Sequence, residues 1–188
     1  MRVEVAGRTD TAIARDLLRC AGVADTQIDA RASDVVRAAA DAYEELCPPD
    51  LSAFVAPGVV HALDALAAET ERYRLALVTG NIEPVARRKL ARAGIGHYFA
   101  AGQGGFGSDS EDRGELPAVA RARAGGWPRE RTVVIGDTPR DIACARADGV
   151  RVIAVATGPY SAEALADADA VVDGVRAALP VLADFATG

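Results

Sequence analysis

Residues 132–150 read TVVIGDTPRDIACARADGV. An apolar run ends on Gly136-Asp137, as a buried parallel strand does, and a helical stretch follows from Pro139 until Gly149 stops it. Asp137 and Asp141 therefore fall together at the carboxyl end of a strand, where open α/β sheets bind their ligands. A magnesium ion suits such a pair, because it takes one or two carboxylates and keeps several waters. A competing account exists for Asp141: Thr138-Pro139-Arg140-Asp141 has the form of a capping box with proline at the first helical position. Asp137 has no basic neighbour in sequence to pair with. A third carboxylate, from elsewhere in the chain, is expected to complete the site.

Working outward, strands and helices alternate. Ahead of this stretch, YRLALVTG (73–80) reads as a buried strand, 82–93 as a helix and HYFAAG (97–102) as a short strand. GQGGFG (102–107) reads as a flexible loop, since it lacks the lysine and hydroxyl of a phosphate-binding P-loop. GELPAVARARAGG (114–126) reads as a helix. Behind the stretch, VRVIAVATG is a strand, SAEALADA a short helix, DAVVDG a last short strand, and VRAALPVLADF closes the chain. This alternation predicts an α/β, Rossmann-like core with a parallel sheet covered on both faces. The first part is different: 10–23 and 29–47 carry helical apolar spacing, and PGVVHALDALAAET (57–70) is a further helix. The expected organisation is a helical segment at 1–56 and an α/β core at 57–188, joined through CPPDLSAFVAPG.

Composition narrows the function. The chain has 188 residues and a net charge of -6, so no basic surface for nucleic acid is expected. Apolar runs such as VIAVA are too short to span a membrane. Cys20, Cys47 and Cys144 are scattered and only two histidines, His61 and His97, are present, which disfavours a zinc site. Unpaired cysteines and no secretory leader fit the cytoplasm.

Two further features lie at or behind a strand end. Thr79-Gly80-Asn81 offers a hydroxyl and backbone N–H groups to an oxyanion, although Asn81 also makes a good helix N-cap. Lys89 is the only lysine in the chain. Its ammonium suits a phosphate dianion, although a lysine bordering an apolar stripe also simply snorkels to water.

Together LALVTGN, RRKLARAGI, GFGSDSEDRGELP and VVIGDTPRDIACARADGVRVIAVATG resemble the haloacid dehalogenase (HAD) superfamily, most closely its phosphoglycolate-phosphatase-like hydrolases. The amino-terminal helices resemble that family's helical cap. The resemblance implies Mg2+-dependent hydrolysis of a small phosphate monoester through an aspartyl-phosphate. It makes Thr79 and Lys89 the catalytic phosphate-binding groups, with Gly80 and Asn81 beside them, and Asp137 with Asp141 the metal ligands. A dehalogenase is disfavoured, since displacing halide needs no dianion neutralised. The alternative is a non-catalytic, phosphate-binding or regulatory relative.

The family's nucleophile lies in an apolar strand ending Asp-x-Asp-Gly-Thr, and this chain has no such segment. The nearest substitute is MRVEVAGRTDT: Val3 and Val5 alternate and Asp10 follows, but position 12 is alanine, so no acid–base partner lies two residues on. In the family that strand lies between the strands of Thr79 and Asp137. Its loss leaves three expectations: the two halves close on each other, the amino-terminal segment fills the gap, or the sequence starts late and the chain is inactive alone. The last is the preferred expectation.

Overall fold

The computed structural model describes residues 7–186. Helices α1 (Asp10–Cys20), α2 (Asp25–Ala30) and α3 (Ala32–Leu46) come first. The predicted helix at 29–47 is thus two, broken at Arg31, where the backbone leaves helical geometry at φ -123° and ψ 17°. Neither α1 nor α3 contains a buried residue, and Leu46 is 81% exposed. The helical segment therefore contributes little to the core. The expected strand around Val3 and Val5 lies outside the described residues.

The core follows as α4 (Val59–Ala67), β1 (Val78–Thr79), α5 (Glu83–Arg92), β2 (Gly105–Phe106), α6 (Leu116–Arg123), β3 (Val133–Gly136), α7 (Pro139–Asp148), β4 (Arg151–Val155), β5 (Ala170–Val172) and α8 (Ala178–Phe185). All strand pairs are parallel, as the alternation of strands with helices requires. The order is β1-β2 in one sheet and β3-β4-β5 in another.

The three-stranded sheet is covered on both faces. Val134, Val152 and Ala154 pack with Ile142 and Ala145 of α7. Val133, Ile153 and Ala170 pack with Leu66 of α4 and with Ala178 and Leu182 of α8. Odd and even residues of one strand thus enter opposite apolar layers, which is why VRVIAV reads as a continuous apolar run. Helix α7 has the capping box its sequence predicts: Thr138 accepts from the Asp141 N–H, and Asp141 accepts in return from the Thr138 N–H. Gly149 closes it in the left-handed conformation at φ 68°.

Two readings are corrected. HYFAAG is no strand; Gly96–Tyr98 forms a 3-10 turn. The strand lies in the glycine-rich run instead, where Gly105 and Phe106 pair with Val78 and Thr79 and Phe106 is fully buried. Gly107 next to it is required by close approach, because a Cβ there would lie 1.9 Å from the Gly80 carbonyl oxygen. These glycines serve backbone packing.

Among the described residues no strand pairing joins the two sheets. Between them lies a cavity of about 730 Å3, lined from one side by residues 72–78 and from the other by 130–135. Of the apolar run 75–79, only Val78 and Thr79 are in strand conformation. Ile135, in β3, is 38% exposed. Among the described residues no helix is long and apolar enough to cross a membrane.

Candidate functional site

The carboxyl ends of β1 and β3 face the same end of the molecule, and Arg113 joins them. It stands in the 3-10 turn Arg113–Glu115 ahead of α6. Its Nη2 donates to Asp141 Oδ1 at 2.5 Å, and its Nη1 donates to the Gly7 carbonyl at 3.4 Å. Nη1 also lies 3.2 Å from where a Gly80 Cβ would be. The Nε of Arg113 is buried without a partner. No motif position singled this residue out. The signal that was available is its place: a basic residue in the polar run SDSEDRGELP, between two strand ends.

Asp141 is buried and fully engaged. Its Oδ2 accepts from the N–H groups of Asp137 and Thr138 and from the Thr138 hydroxyl at 2.8 Å, while Oδ1 takes Arg113. The capping account of this residue is therefore realised. Asp137 differs. Its side chain is exposed, lies over Gly158, where a Cβ would approach Oδ2 to 2.6 Å, and makes no hydrogen bond or ion pair with the described residues. A lone, accessible, hard carboxylate beside a second acid fits a cation that takes one or two carboxylates and keeps its waters. Among the described residues no three His, Cys, Asp or Glu side chains gather into a complete metal cage.

On the other strand, the Thr79 hydroxyl accepts from the Asn81 N–H at 3.2 Å. Asn81 is not the cap of α5; that position is Ile82. The Asn81 amide instead links two charges. Its Nδ2 donates to Asp10 at 3.1 and 3.2 Å, and its Oδ1 accepts from Lys89 Nζ at 2.9 Å. Lys89 also lies over the Tyr43 ring of α3, 5.3 Å from its centroid. It thus reaches the strand end through Asn81, on the side of the helical segment, whereas Arg113 is the cation between the strand ends.

Asp10 caps α5 from a distance of 72 residues in sequence: its Oδ2 accepts from the Ile82 N–H at 2.9 Å. Its own N–H donates to the Gly80 carbonyl at 2.7 Å. Both carboxylate oxygens are hydrogen-bonded, and an oxygen at a helix amino end is stabilised there by four orphan donors and the dipole. Thr9, 1% exposed, donates to the Glu111 carbonyl, and Thr11 donates to the Gly107 carbonyl. The start of α1 is thereby stitched to the site. His61 and His97 are exposed and take no part.

Comparison with known proteins identifies the family. The family model for haloacid dehalogenase-like hydrolases matches residues 3–146, and a HAD-hydrolase-like model matches residues 115–178. A protein named "Probable phosphatase IndB" of Dickeya dadantii (strain 3937) is 28% identical over 142 residues, which are 75% of this chain and 60% of that protein. A UDP-N-acetylmuramate--L-alanine ligase of Xylella fastidiosa (strain M12) is 35% identical over 124 residues, 58% of this chain but 25% of the ligase. The chain thus spans less than two thirds of the length of either curated relative. With three quarters of its length inside one family model, the chain belongs to the haloacid dehalogenase-like hydrolase family.

Proposed function

We propose that this chain carries the phosphate- and metal-binding half of a phosphatase that hydrolyses a small phosphate monoester with Mg2+. The observation that carries the reading is Asp137, an exposed carboxylate at a strand end without a hydrogen-bond or ion-pair partner among the described residues, near Asp141, whose part-buried partner Arg113 reaches toward Gly80 at the other strand end. Asp137, with Asp141 behind it, would hold the cation, which when bound withdraws charge from the phosphoryl oxygens. The Thr79 hydroxyl and the Gly80 and Asn81 N–H groups would orient those oxygens. Arg113 and Lys89 would offset the dianion's charge, which otherwise repels an attacking anion. Such a reaction needs an attacking carboxylate: its oxygen bonds to phosphorus as the ester oxygen leaves and takes a proton from water, and water then cleaves the acyl phosphate to restore the carboxylate and release inorganic phosphate. Asp10 is not free for the attack, since both its oxygens are engaged by Asn81 and Ile82. The three cysteines are free thiols, in keeping with a reducing cytoplasm. The ligase relative adds nothing to this reading, because its match covers a quarter of that protein.

A second reading follows from the same geometry. Among the described residues no unengaged carboxylate adjoins Thr79, so the chain by itself would bind phosphate and Mg2+ without turning over. Phosphate release from an aryl phosphate by the purified chain separates the two. Release that needs Mg2+ and disappears in Asp137→Asn supports a self-sufficient phosphatase. Silence, together with Mg2+ and inorganic phosphate binding that Asp137→Asn abolishes, supports the binding reading. Absence of both binding and release sinks the assignment of this site.

A further inference from the structure

Two arginine–carboxylate pairs in this chain differ in build. Arg121 grips Asp148 with two nitrogens, Nε at 2.6 Å and Nη2 at 2.7 Å, on a side chain 2% exposed. That is the bidentate form, in which two parallel bonds add geometry as well as energy. Arg113 holds Asp141 by a single bond, Nη2 to Oδ1 at 2.5 Å, on a side chain 12% exposed. The second oxygen, Oδ2, is committed. It accepts from the Asp137 N–H, the Thr138 N–H and the Thr138 hydroxyl. Only Oδ1 is left to a cation, and Arg113 occupies it.

The same guanidinium borders the other strand end. Its Nη1 lies 3.2 Å from where a Gly80 Cβ would be, and Gly80 follows Thr79. Arg113 thus stands between the carboxylates and the Thr79-Gly80-Asn81 group, with its charge matched by Asp141. An anion at Thr79 that drew Arg113 away would leave Asp141 largely buried, uncompensated and beside a dianion, which is strongly unfavourable. With a cation on Oδ1, both charges gain new partners and neither is stranded. We infer that Asp141 is a positioning residue that holds Arg113 off the phosphate site until its Oδ1 is taken by a cation, so that cation and phosphate bind in that order. The inference rests on the reading of this site as a phosphate and Mg2+ site, and adds to it an order of binding set by one ion pair.

The test follows inorganic phosphate by its 31P resonance as the 188-residue chain is added, in EDTA and in saturating Mg2+. Asp141→Asn keeps an acceptor oxygen for the Thr138 cap but no charge to hold Arg113. In EDTA it should tighten phosphate binding about tenfold, and in Mg2+ it should not tighten it. In an Arg113→Met background the same substitution should change phosphate binding less than about twofold. A second measurement needs no variant that must fold. In the unaltered chain, Mg2+ alone should speed exchange of the Arg113 guanidinium protons with water at least about tenfold, as opening of the pair requires, and leave those of Arg121 unchanged. An equal gain in both backgrounds overturns the inference, since Asp141 would then act by its charge alone. So does the absence of a gain in EDTA, or slow Arg113 protons in Mg2+; in either case Mg2+-dependent phosphate binding by the unaltered chain would leave the site reading standing. No phosphate binding under any condition removes the site reading and the inference together.

Discussion

Arg113 and Asp141 form a largely buried ion pair between the carboxyl ends of β1 and β3, 2.5 Å from nitrogen to oxygen, with side chains 20% and 12% exposed. The pair ties the turn before α6 to the first turn of α7. Breaking one partner of a buried pair strands the other's charge. Arg113→Met should therefore lower stability by about 3 kcal/mol. The double variant with Asp141→Asn should recover about 1–3 kcal/mol relative to additivity. Urea unfolding of the four proteins gives the coupling; additive losses would show that the two side chains do not act on each other.

Asp10 serves as the remote cap of α5, and that makes a structural prediction. Asp10→Ala leaves the Ile82 N–H and the Asn81 amide without their acceptor. The expected cost is about 1–2 kcal/mol, the usual range for losing a side-chain cap. In a chain of this size that lowers Tm by about 2–4 °C per kcal/mol. Asp10→Asn, which keeps one acceptor oxygen, should lose less. Equal and negligible shifts for both would show the cap to be idle.

Gly158 holds the floor beneath Asp137. A Cβ at this position would meet Asp137 Oδ2 at 2.6 Å. The contact is with the tip of a side chain, so the carboxylate would turn away while the backbone stays. Gly158→Ala should keep Tm within about 2 °C, as expected for a change outside the core, yet weaken Mg2+ binding at least about tenfold. Calorimetric titration of Mg2+ into both proteins checks this; unchanged affinity would separate Asp137 from the metal.

Asp148 is held by two guanidinium groups, Arg121 at 2.6 Å and Arg129 at 3.2 Å, with a side chain 2% exposed. The hydrogen bonds from Arg121, above all, hold its carboxyl below the ordinary range. Because the folded value is depressed, the stabilisation is fully present above the unfolded value of about 3.9 and is lost as pH falls through the folded one. Asp148→Asn should be destabilised by about 3 kcal/mol at pH 7. The gap to the unaltered protein should narrow progressively below about pH 4. Thermal scans from pH 7 to pH 2.5 would show it; a constant gap would refute the charge-based origin.

How much of this was legible in the sequence follows element by element. The core from Thr132 onward was readable because every local signal agreed: an apolar run buried on both faces, a capping box with proline at its first helical position, and a glycine stop. Thr79, Asp137 and Asp141 were readable for the same reason, since strand ends place them. GQGGFG was misread because glycine's conformational freedom and its role in close packing look alike in a sequence. Here Gly107 lies against the Gly80 carbonyl, a contact between distant segments. Asn81 was legible as a polar residue before a helix but not as the link between Asp10 and Lys89.

What the sequence by itself determined is therefore the set of short-range decisions: where apolar period changes from helix to strand, where helices start and stop, and which carboxylates and hydroxyls end on strand tips. Those depend on neighbours within a few residues. Only the tertiary structure decided that Arg113, and not the lone lysine, bridges the two strand ends. It also decided that Asp10 caps a helix 72 residues away and that β2, from the glycine-rich run, is the strand paired with β1. Each of these depends on which backbone edges and charges meet across long loops, and no local pattern encodes that meeting.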